Sequence, residues 1–351
     1  MNIPSVVVYC TLLFPLTLCA RDKSDVLIMN NGDRLTCEIK GLDAGVLYVG
    51  FDYIKGTTSV DWSKVHHLES KQLFLVKTED GAVYTGTLST AETEGARPMQ
   101  IEVAEDAEKT VALERQNIVV IDQHSIHFWR RFNGSFNSGL IYSKGNASTQ
   151  YTLGAQVQYP RERWSTGLAL SSTLSGSAGK ATSTRNNPSF YFRRLLPWNN
   201  WFYTGLGSFL QSSEQNIQLQ SNIGGGIGHY LKNTNRATVA LVGGVAWQNT
   251  RYDQTAIQQA NQNVAAAMIG ADVELFKFDK TKLAITGAVF PAISQPGRIF
   301  TDTNATYYLK FFGNFTWNLS FYGNWDNRPP GGFSGSDYGM SSGFGWTFGN
   351  K

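Results

Sequence analysis

The sequence predicts an all-β protein: an antiparallel transmembrane β-barrel of about twelve strands, preceded by tandem small SH3-like or Sm-like β domains. Three observations carry that prediction. From about Phe132 to Phe348 one unit of roughly ten residues recurs about twelve times, apolar residues alternating with small or polar ones before a turn, which gives each strand a greasy face and a wet face. Mean hydropathy is -0.24, and no stretch after the N-terminus approaches the roughly eighteen consecutive apolar residues of a spanning helix. The 35 glycines and 13% aromatics suit strands that tilt, bend and carry interfacial rings. The competing fold is a soluble β-sandwich, whose strands are shorter and lack aromatics massed at their ends.

Residues 1–20 come first. Met1 to Ala20 holds no charged residue and contains the apolar run Val6 to Leu18, too short to span and followed by Arg21, Asp22 and Lys23. This reads as a secretory signal cleaved after Ala20 or Cys19. Cys19 follows Leu16, Thr17 and Leu18 as at a lipoprotein acylation site, but Leu18 stands where such sites want Gly, Ala or Ser. Removal of the signal takes Cys10 and Cys19 and leaves Cys37 alone, so no intramolecular disulfide is expected despite an oxidising compartment.

The remainder divides near residue 125, with opposite charge on the two sides. Residues 21–124 hold 11 Lys and Arg against 18 Asp and Glu, net -7, whereas 125–351 hold 19 against 9, net +10. The near-neutral total of +3 conceals a polarised molecule. Within 21–124 a unit of about fifty residues repeats. Leu27 to Leu35 recurs loosely as Leu75 to Val83, with Gly32 matching Gly81, and Val60 to Val65 parallels Val111 to Ile118. Asn31-Gly32 and Asp80-Gly81 read as two-residue type I′ hairpin turns, which need positive φ at both central residues. Small barrels of this kind usually bind proteins, peptides or peptidoglycan, an expectation that rests on fold analogy alone.

In 125–351 the pattern places strands near 132–143, 149–159, 163–175, 187–195, 201–211, 216–231, 236–248, 263–276, 282–292, 303–312, 315–326 and 337–349. The last two are the clearest. Phe315, Trp317, Leu319, Phe321 and Trp325 alternate with Thr316, Asn318, Ser320, Tyr322 and Asn324, and Tyr338, Met340, Phe344, Trp346 and Phe348 alternate with small residues. Connectors alternate too: Pro160 to Glu162, Leu196 to Asn200, Lys232 to Asn235, Lys277 to Thr281 and Gly313 to Asn314 are short. Gly176 to Asn186, Asn249 to Gln262, Ile293 to Asp302 and Asn327 to Ser336 are long. Outer-membrane barrels have short periplasmic turns and long outer loops, so both ends of the chain and the acidic region are expected in the periplasm. Arg130, Arg131, Arg161, Arg163, Arg193, Arg194, Lys232, Arg236, Lys277, Lys280 and Lys282 collect at that rim. A solvated rim is the plain explanation; the sharper one is a basic collar that docks the acidic region over the mouth by summed attraction.

Chemistry-bearing motifs are scarce, and no catalytic, cofactor or metal residue is assigned. His229 is the only histidine in the barrel strands and has no evident partner for nucleophilic catalysis. His124 and His127, and the adjacent His66 and His67, lack Cys or carboxylate companions at metal-site spacing. Gly224, Gly225, Gly226 and Gly228 superficially resemble a phosphate loop, but no Lys-Ser/Thr follows, so a barrel bend or strand kink is the better account. The basic excess is not interleaved on an aromatic platform, which argues against nucleic acid. Lys180, Arg185 and Arg251 are candidates for acidic lipid contact near the outer loops.

Tyr307 to Phe311 leading into Trp317 to Phe321, then Asp326, Asn327, Arg328, Pro329, Pro330 and Gly331, and finally Asp337, Tyr338 and Gly343 to Phe348, resemble the YdiY-like family, domain of unknown function 481, described as salt-stress-induced outer-membrane proteins. The resemblance covers roughly residues 130–351. It implies an outer-membrane barrel and offers no catalytic residues to carry over. The expected function is a non-enzymatic narrow pore or structural envelope protein linked to salt or osmotic stress; the alternative is an adaptor whose periplasmic domains bind peptidoglycan or a protein while the barrel anchors them. Expected partners are outer-membrane lipid, the barrel assembly machinery, and peptidoglycan or a periplasmic protein. Thr152, Gln156, Gln158, Thr316, Asn318 and Ser320 are expected inside the barrel.

Overall fold

The computed structural model describes residues 23–91, 99–106, 109–123, 128–143, 148–176, 182–197, 199–213, 215–253, 261–277, 280–329 and 335–348. The signal segment, Cys19, His124, His127 and Lys180 lie outside them.

Nine strands make the acidic region: β1 (Asp25–Met29), β2 (Arg34–Asp43), β3 (Val46–Gly50), β4 (Thr58–Asp61), β5 (Val65–Thr78), β6 (Val83–Thr90), β7 (Gln100–Asp106), β8 (Lys109–Glu114) and β9 (Ile118–Gln123). The fifty-residue repeat is visible as topology. In the first copy β4 passes through the 3-10 turn Trp62–Lys64 into β5, which pairs with β1; in the second, β8 passes through Arg115–Asn117 into β9, which pairs with the far half of β5. The copies are fused rather than strung in tandem. Strand β5 is the last strand of one and the first of the other, β2 also pairs with β9, and one core holds Leu27, Ile39 and Leu47 together with Phe74, Ile101 and Ile121. Trp62 Nε1 donates to the carbonyl of Arg115 at 3.0 Å, and Arg115 Nη1 donates to the carbonyl of Val65 at 2.6 Å, so the two 3-10 turns lock together.

The hairpin turns differ from the two-residue prediction. Gly32 and Gly81 have φ of 90° and 83°, while Asn31 and Asp80 are not in the left-handed region. Gly32 N donates to the carbonyl of Met29 and Met29 N to that of Asp33, and Gly81 and Thr78 repeat the arrangement. Each is a type I turn closed by a left-handed glycine in a three-residue loop. The Asn31 and Asp80 side chains, which accept from the amides of Asp33 and Ala82, favour it.

Residues 133–348 form a closed antiparallel barrel of twelve strands: β10 (Asn133–Ser143), β11 (Ser148–Pro160), β12 (Trp164–Gly176), β13 (Ser183–Leu195), β14 (Trp201–Ser212), β15 (Ile217–Asn233), β16 (Ala237–Tyr252), β17 (Asn261–Lys277), β18 (Thr281–Pro291), β19 (Ile299–Phe312), β20 (Phe315–Asp326) and β21 (Ser336–Phe348). The barrel closes where β10 meets β21, with Phe136 opposite Trp346 and Ser138 opposite Phe344. Each strand has 11 to 17 residues, enough for the roughly 9–11 residues that cross a bilayer at a tilt. Outward side chains form an apolar belt, with Leu140, Leu168, Val245, Ile269 and Met340 all more than half exposed. Aromatic rings gird both ends of it: Trp201, Tyr203, Phe315 and Trp346 near the short turns, Phe209, Trp247, Trp325 and Tyr338 near the long loops.

The connectors at 161–163, 196–200, 234–236, 278–280 and 313–314, none longer than five residues, gather at one end, and the longest, 253–260 and 327–335, lie at the other beside the four-residue links 144–147 and 213–216. Three strands run further toward the long-loop end than predicted: β13 begins at Ser183, β16 continues to Tyr252 and β19 begins at Ile299. In Ser183–Asn186 and Asn249–Arg251 both strand faces are polar, and in β19 Ile299 and Phe300 are adjacent apolar residues, so the alternation that marks a strand is absent from the sequence while the hydrogen-bond ladder continues. The glycine cluster of β15 makes no break either. Pairing with β14 and β16 runs unshifted from Ile223 to Tyr230 on the β16 side, and the register shifts flank the cluster instead.

Candidate functional site in the barrel lumen

The inward faces of the barrel strands build the site. Strands β13 and β19 stand six positions apart in the ring of twelve, so they are opposite walls. From β13, Arg185 and Asn187 reach inward, and from β19 and β20 come Asp302, Asn304 and Asn324; these five side chains line two cavities at once and divide the lumen lengthwise. Arg185 is ion-paired with Asp337 of β21, its guanidinium carbon lies 4.7 Å from the centre of the Tyr322 ring, and Nη2 donates to the Asn324 amide oxygen at 2.8 Å. One long cation thus bridges the lumen to strands four and five positions away.

Toward the short-turn end Arg193, also on β13, makes a second bridge. Its Nη2 donates to Asp272 of β17 at 2.7 Å and its Nη1 to the Tyr230 hydroxyl at 2.8 Å, while its guanidinium carbon lies 4.4 Å from the centre of the Phe202 ring. Phe202 is fully buried with Ala240, Val242 and Met268, an apolar floor inside the barrel. Gly228 makes room for it: a Cβ there would sit 2.3 Å from the ring. At the long-loop end Arg298 is held by Asp326 through Nε and Nη2 and by Gln295 and Gln262 through Nη1.

The two compartments differ in chemistry. One, of about 240 Å³, is lined by Asn137, Thr152, Gln156, Tyr308, Asn318 and Ser320, which places Thr152, Gln156, Asn318 and Ser320 inside as the sequence suggests. The other, of about 390 Å³, sets Leu206, Leu210, Val242, Met268, Phe290 and Phe300 against the partition. Sequence reasoning missed Arg185, Asp302 and Arg298 because it read 176–186 and 293–302 as loops. Arg185, expected among outer-loop lipid contacts, instead enters the lumen, because Asp337 offers it an ion pair there. Arg193, expected on the basic rim, is likewise turned inward by Asp272.

The other singled-out residues do not converge on the lumen. His229 faces outward with its ring 4.9 Å from Trp201 in the belt, and Arg251 is exposed. His66 and His67 are consecutive on β5. Among the described residues no group of three or more His, Cys, Asp or Glu is placed to hold a metal ion. The glycine cluster is built into the strand ladder, where Gly226 and Gly244 pass with Cβ positions 2.2 Å from facing carbonyl oxygens.

The acidic module sits on the short-turn end. Asn200 Nδ2 donates to the carbonyl of Glu79 at 2.6 Å, Asn235 Nδ2 to that of Ile118 at 2.7 Å, and Lys77 Nζ to that of Arg161 at 3.3 Å. Gly45 and Gly81 press on the same turns, with Cβ positions 3.1 Å from the Asn235 carbonyl oxygen and 2.9 Å from the Asn200 side chain. Desolvation lifts the Glu79 carboxyl above its usual range, against the attraction of Lys232. Of the rim arginines, Arg131 and Arg161 both pair with Glu162.

Comparison with known proteins completes the description. Among solved structures the chain is similar to the translocator domain of the autotransporter NalP from Neisseria meningitidis (12% identity, 62% of this chain and 87% of that one, TM-score 0.36). It is also similar to a porin (12% identity, 92% and 98%, TM-score 0.27) and to the outer membrane protease OmpT from Escherichia coli (9% identity, 64% and 99%, TM-score 0.24). Among curated proteins none matches. The model of the DUF481 family, proteins of unknown function, matches residues 137–348, which spans β10 to β21, and the chain belongs to that family.

Proposed function

We propose that this is a non-enzymatic outer-membrane β-barrel protein whose lumen is closed by its own side chains, a structural protein of the envelope rather than an open pore. The cross-lumen bridges Arg185 to Asp337 and Arg193 to Asp272 carry that reading. A twelve-strand barrel is narrower than the 16–18-stranded porins that leave an aqueous channel, and two charged bridges with an apolar floor obstruct what remains. The apolar belt, the two aromatic girdles and the closed hydrogen-bond ladder support the membrane placement, since only structures that satisfy every backbone group cross a bilayer. With the short turns in the periplasm, the signal segment removed and the fused module, read as a pair of SH3-like units, covering the periplasmic mouth, the barrel assembly machinery would receive β21 as the closing strand. Salt or osmotic stress is the proposed setting.

Planar-bilayer recording tests the closed lumen. Silence from the intact chain is expected; discrete steps of porin size from it overturn the reading.

A second reading, an adaptor, is favoured by the module. While Glu79, Gly81 and Ile118 engage the rim, Tyr53 and Ile54 remain exposed, Tyr53 by 75%. Cell-wall co-sedimentation of the full chain, lost in Tyr53→Ser with Ile54→Ser, is the outcome expected of peptidoglycan binding through this loop.

A further inference from the structure

We infer that the larger lumenal compartment is a binding site for a small amphipathic organic amine, its ammonium at Asp302 and its apolar body against β14 to β18. The volume, about 390 Å³, lies within the range of small-molecule pockets, and apolar walls with a few fixed polar groups are their usual make-up.

The head-group chemistry follows from charge accounting. Three lumenal carboxylates have an arginine within ion-pair distance: Asp272 has Arg193, Asp326 has Arg298, and Asp337 has Arg185. Among the described residues Asp302 has no such partner, and the hydrogen bond given to its carboxylate comes from Asn304 Nδ2 at 2.9 Å. The cation that acts on it, Arg185, is already engaged by Asp337 and Asn324. Across the partition on β13, Asn187 Oδ1 is buried without a donor, and so is Gln215 Oε1 on the same compartment's lining. Of the buried donors left over among the described residues, Arg193 Nε alone is on this compartment's lining, at the floor under Phe202, while Asn318 Nδ2 belongs to the smaller compartment. A carboxylate without a paired cation and an amide oxygen without a donor, both on this compartment's lining, call for a ligand that brings N–H groups and positive charge. Around them Leu206, Leu210, Val242, Met268 and Phe290, with Phe300 on Asp302's own strand, offer a surface that a phenyl or short alkyl group would cover.

Three probes of one shape test this on the full chain in detergent micelles: 3-phenylpropylamine, 3-phenylpropanol and 3-phenylpropionate, titrated by calorimetry against matched micelles. The amine is expected to bind at one site at least tenfold more tightly than the other two. Asp302→Asn should shrink that preference to within about twofold, and Ala246→Phe or Ala288→Phe, each filling the compartment from a different wall, should weaken amine binding at least tenfold. Folding of each variant is read from heat-modifiable migration, and the wild-type ranking alone decides the matter if Asp302→Asn does not fold. Equal binding of the three probes, a preference that survives Asp302→Asn, or undiminished binding to both filled variants would overturn the site. The inference rests on the closed lumen only for its walls: a chain that conducts yet ranks the probes as stated sinks the closed-barrel reading and leaves the site standing.

Discussion

At the scale of single residues, burial decides reactivity. Cys37 is fully buried on β2, and desolvation, helped by the negative charge of Asp25, pushes its thiol up to about 12 from 9.0. At pH 8 its thiolate fraction is then about a thousandfold below that of an ordinary thiol, so maleimide should label the native chain only after urea is added. Because the folded thiol titrates above the unfolded one, the associated stability is complete below pH 9 and is lost as pH rises toward 12. Cys37→Ser places a hydroxyl in the same apolar core and should cost about 1–3 kcal/mol, measurable by urea denaturation of residues 21–124 followed through Trp62. Gly228 teaches the same lesson about space. Gly228→Ala sets a Cβ against the Phe202 ring and should destabilise the barrel by about 1–3 kcal/mol, while adding Phe202→Leu should restore part of it; the temperature at which heat-modifiable migration disappears reads both. Neither requirement was legible beforehand, since a glycine run reads alike whether it bends a strand or seats a ring. Arg185 was hidden for a related reason: among Thr184, Asn186 and Asn187 no alternation marks which side chains face in.

At the scale of elements, alternation succeeded wherever lipid and lumen make different demands. Strand β20 runs over the predicted 315–326, and β21 over 336–348 against a predicted 337–349, because each outward position must be apolar and each inward one need not be. Turn type was less legible than turn position, since Asn31-Gly32 and Asp80-Gly81 suit both the two-residue loop and the three-residue one that forms. The contact between module and barrel was legible only as charge. Opposite net charges suggested a salt-sensitive docking, and the contacts that form include amide hydrogen bonds from Asn200 and Asn235 and a hydrogen bond from the Lys77 ammonium, with Glu79 desolvated among them and attracted by Lys232. The raised Glu79 carboxyl gives the docking a direction with pH. A carboxyl that titrates higher when docked favours docking fully below its free value, and the advantage is lost as pH rises through the docked value. Glu79→Gln should therefore strengthen docking at pH 7 and flatten its acid dependence, while Asn200→Ala with Asn235→Ala should weaken it at every pH. Fluorescence transfer between dyes placed in the module and on the barrel would report both, and stronger docking of wild type at pH 7 than at pH 4 would contradict the first.

For the whole molecule, the proposed closure has two parts: paired charges across the lumen, and a module bonded to the turns at one end. These two closures are separable, and conductance distinguishes them. Removing residues 21–124 uncovers the short-turn mouth but leaves Arg185, Arg193 and the Phe202 floor in place, so the truncated barrel should stay silent in a planar bilayer. Arg185→Ala with Arg193→Ala removes both bridges while leaving the belt and the ladder untouched. It also strips Asp337 and Asp272 of their partners, and water must enter to solvate the freed carboxylates. That variant should pass small cations in discrete steps, with cation preference because the lumen then carries uncompensated negative charge. Joining the arginine substitutions to the truncation should raise the step size further, since the module no longer obstructs the exit. Conduction by the truncated barrel with its arginines intact would instead make the module the plug, and the lumenal bridges no more than bracing between walls.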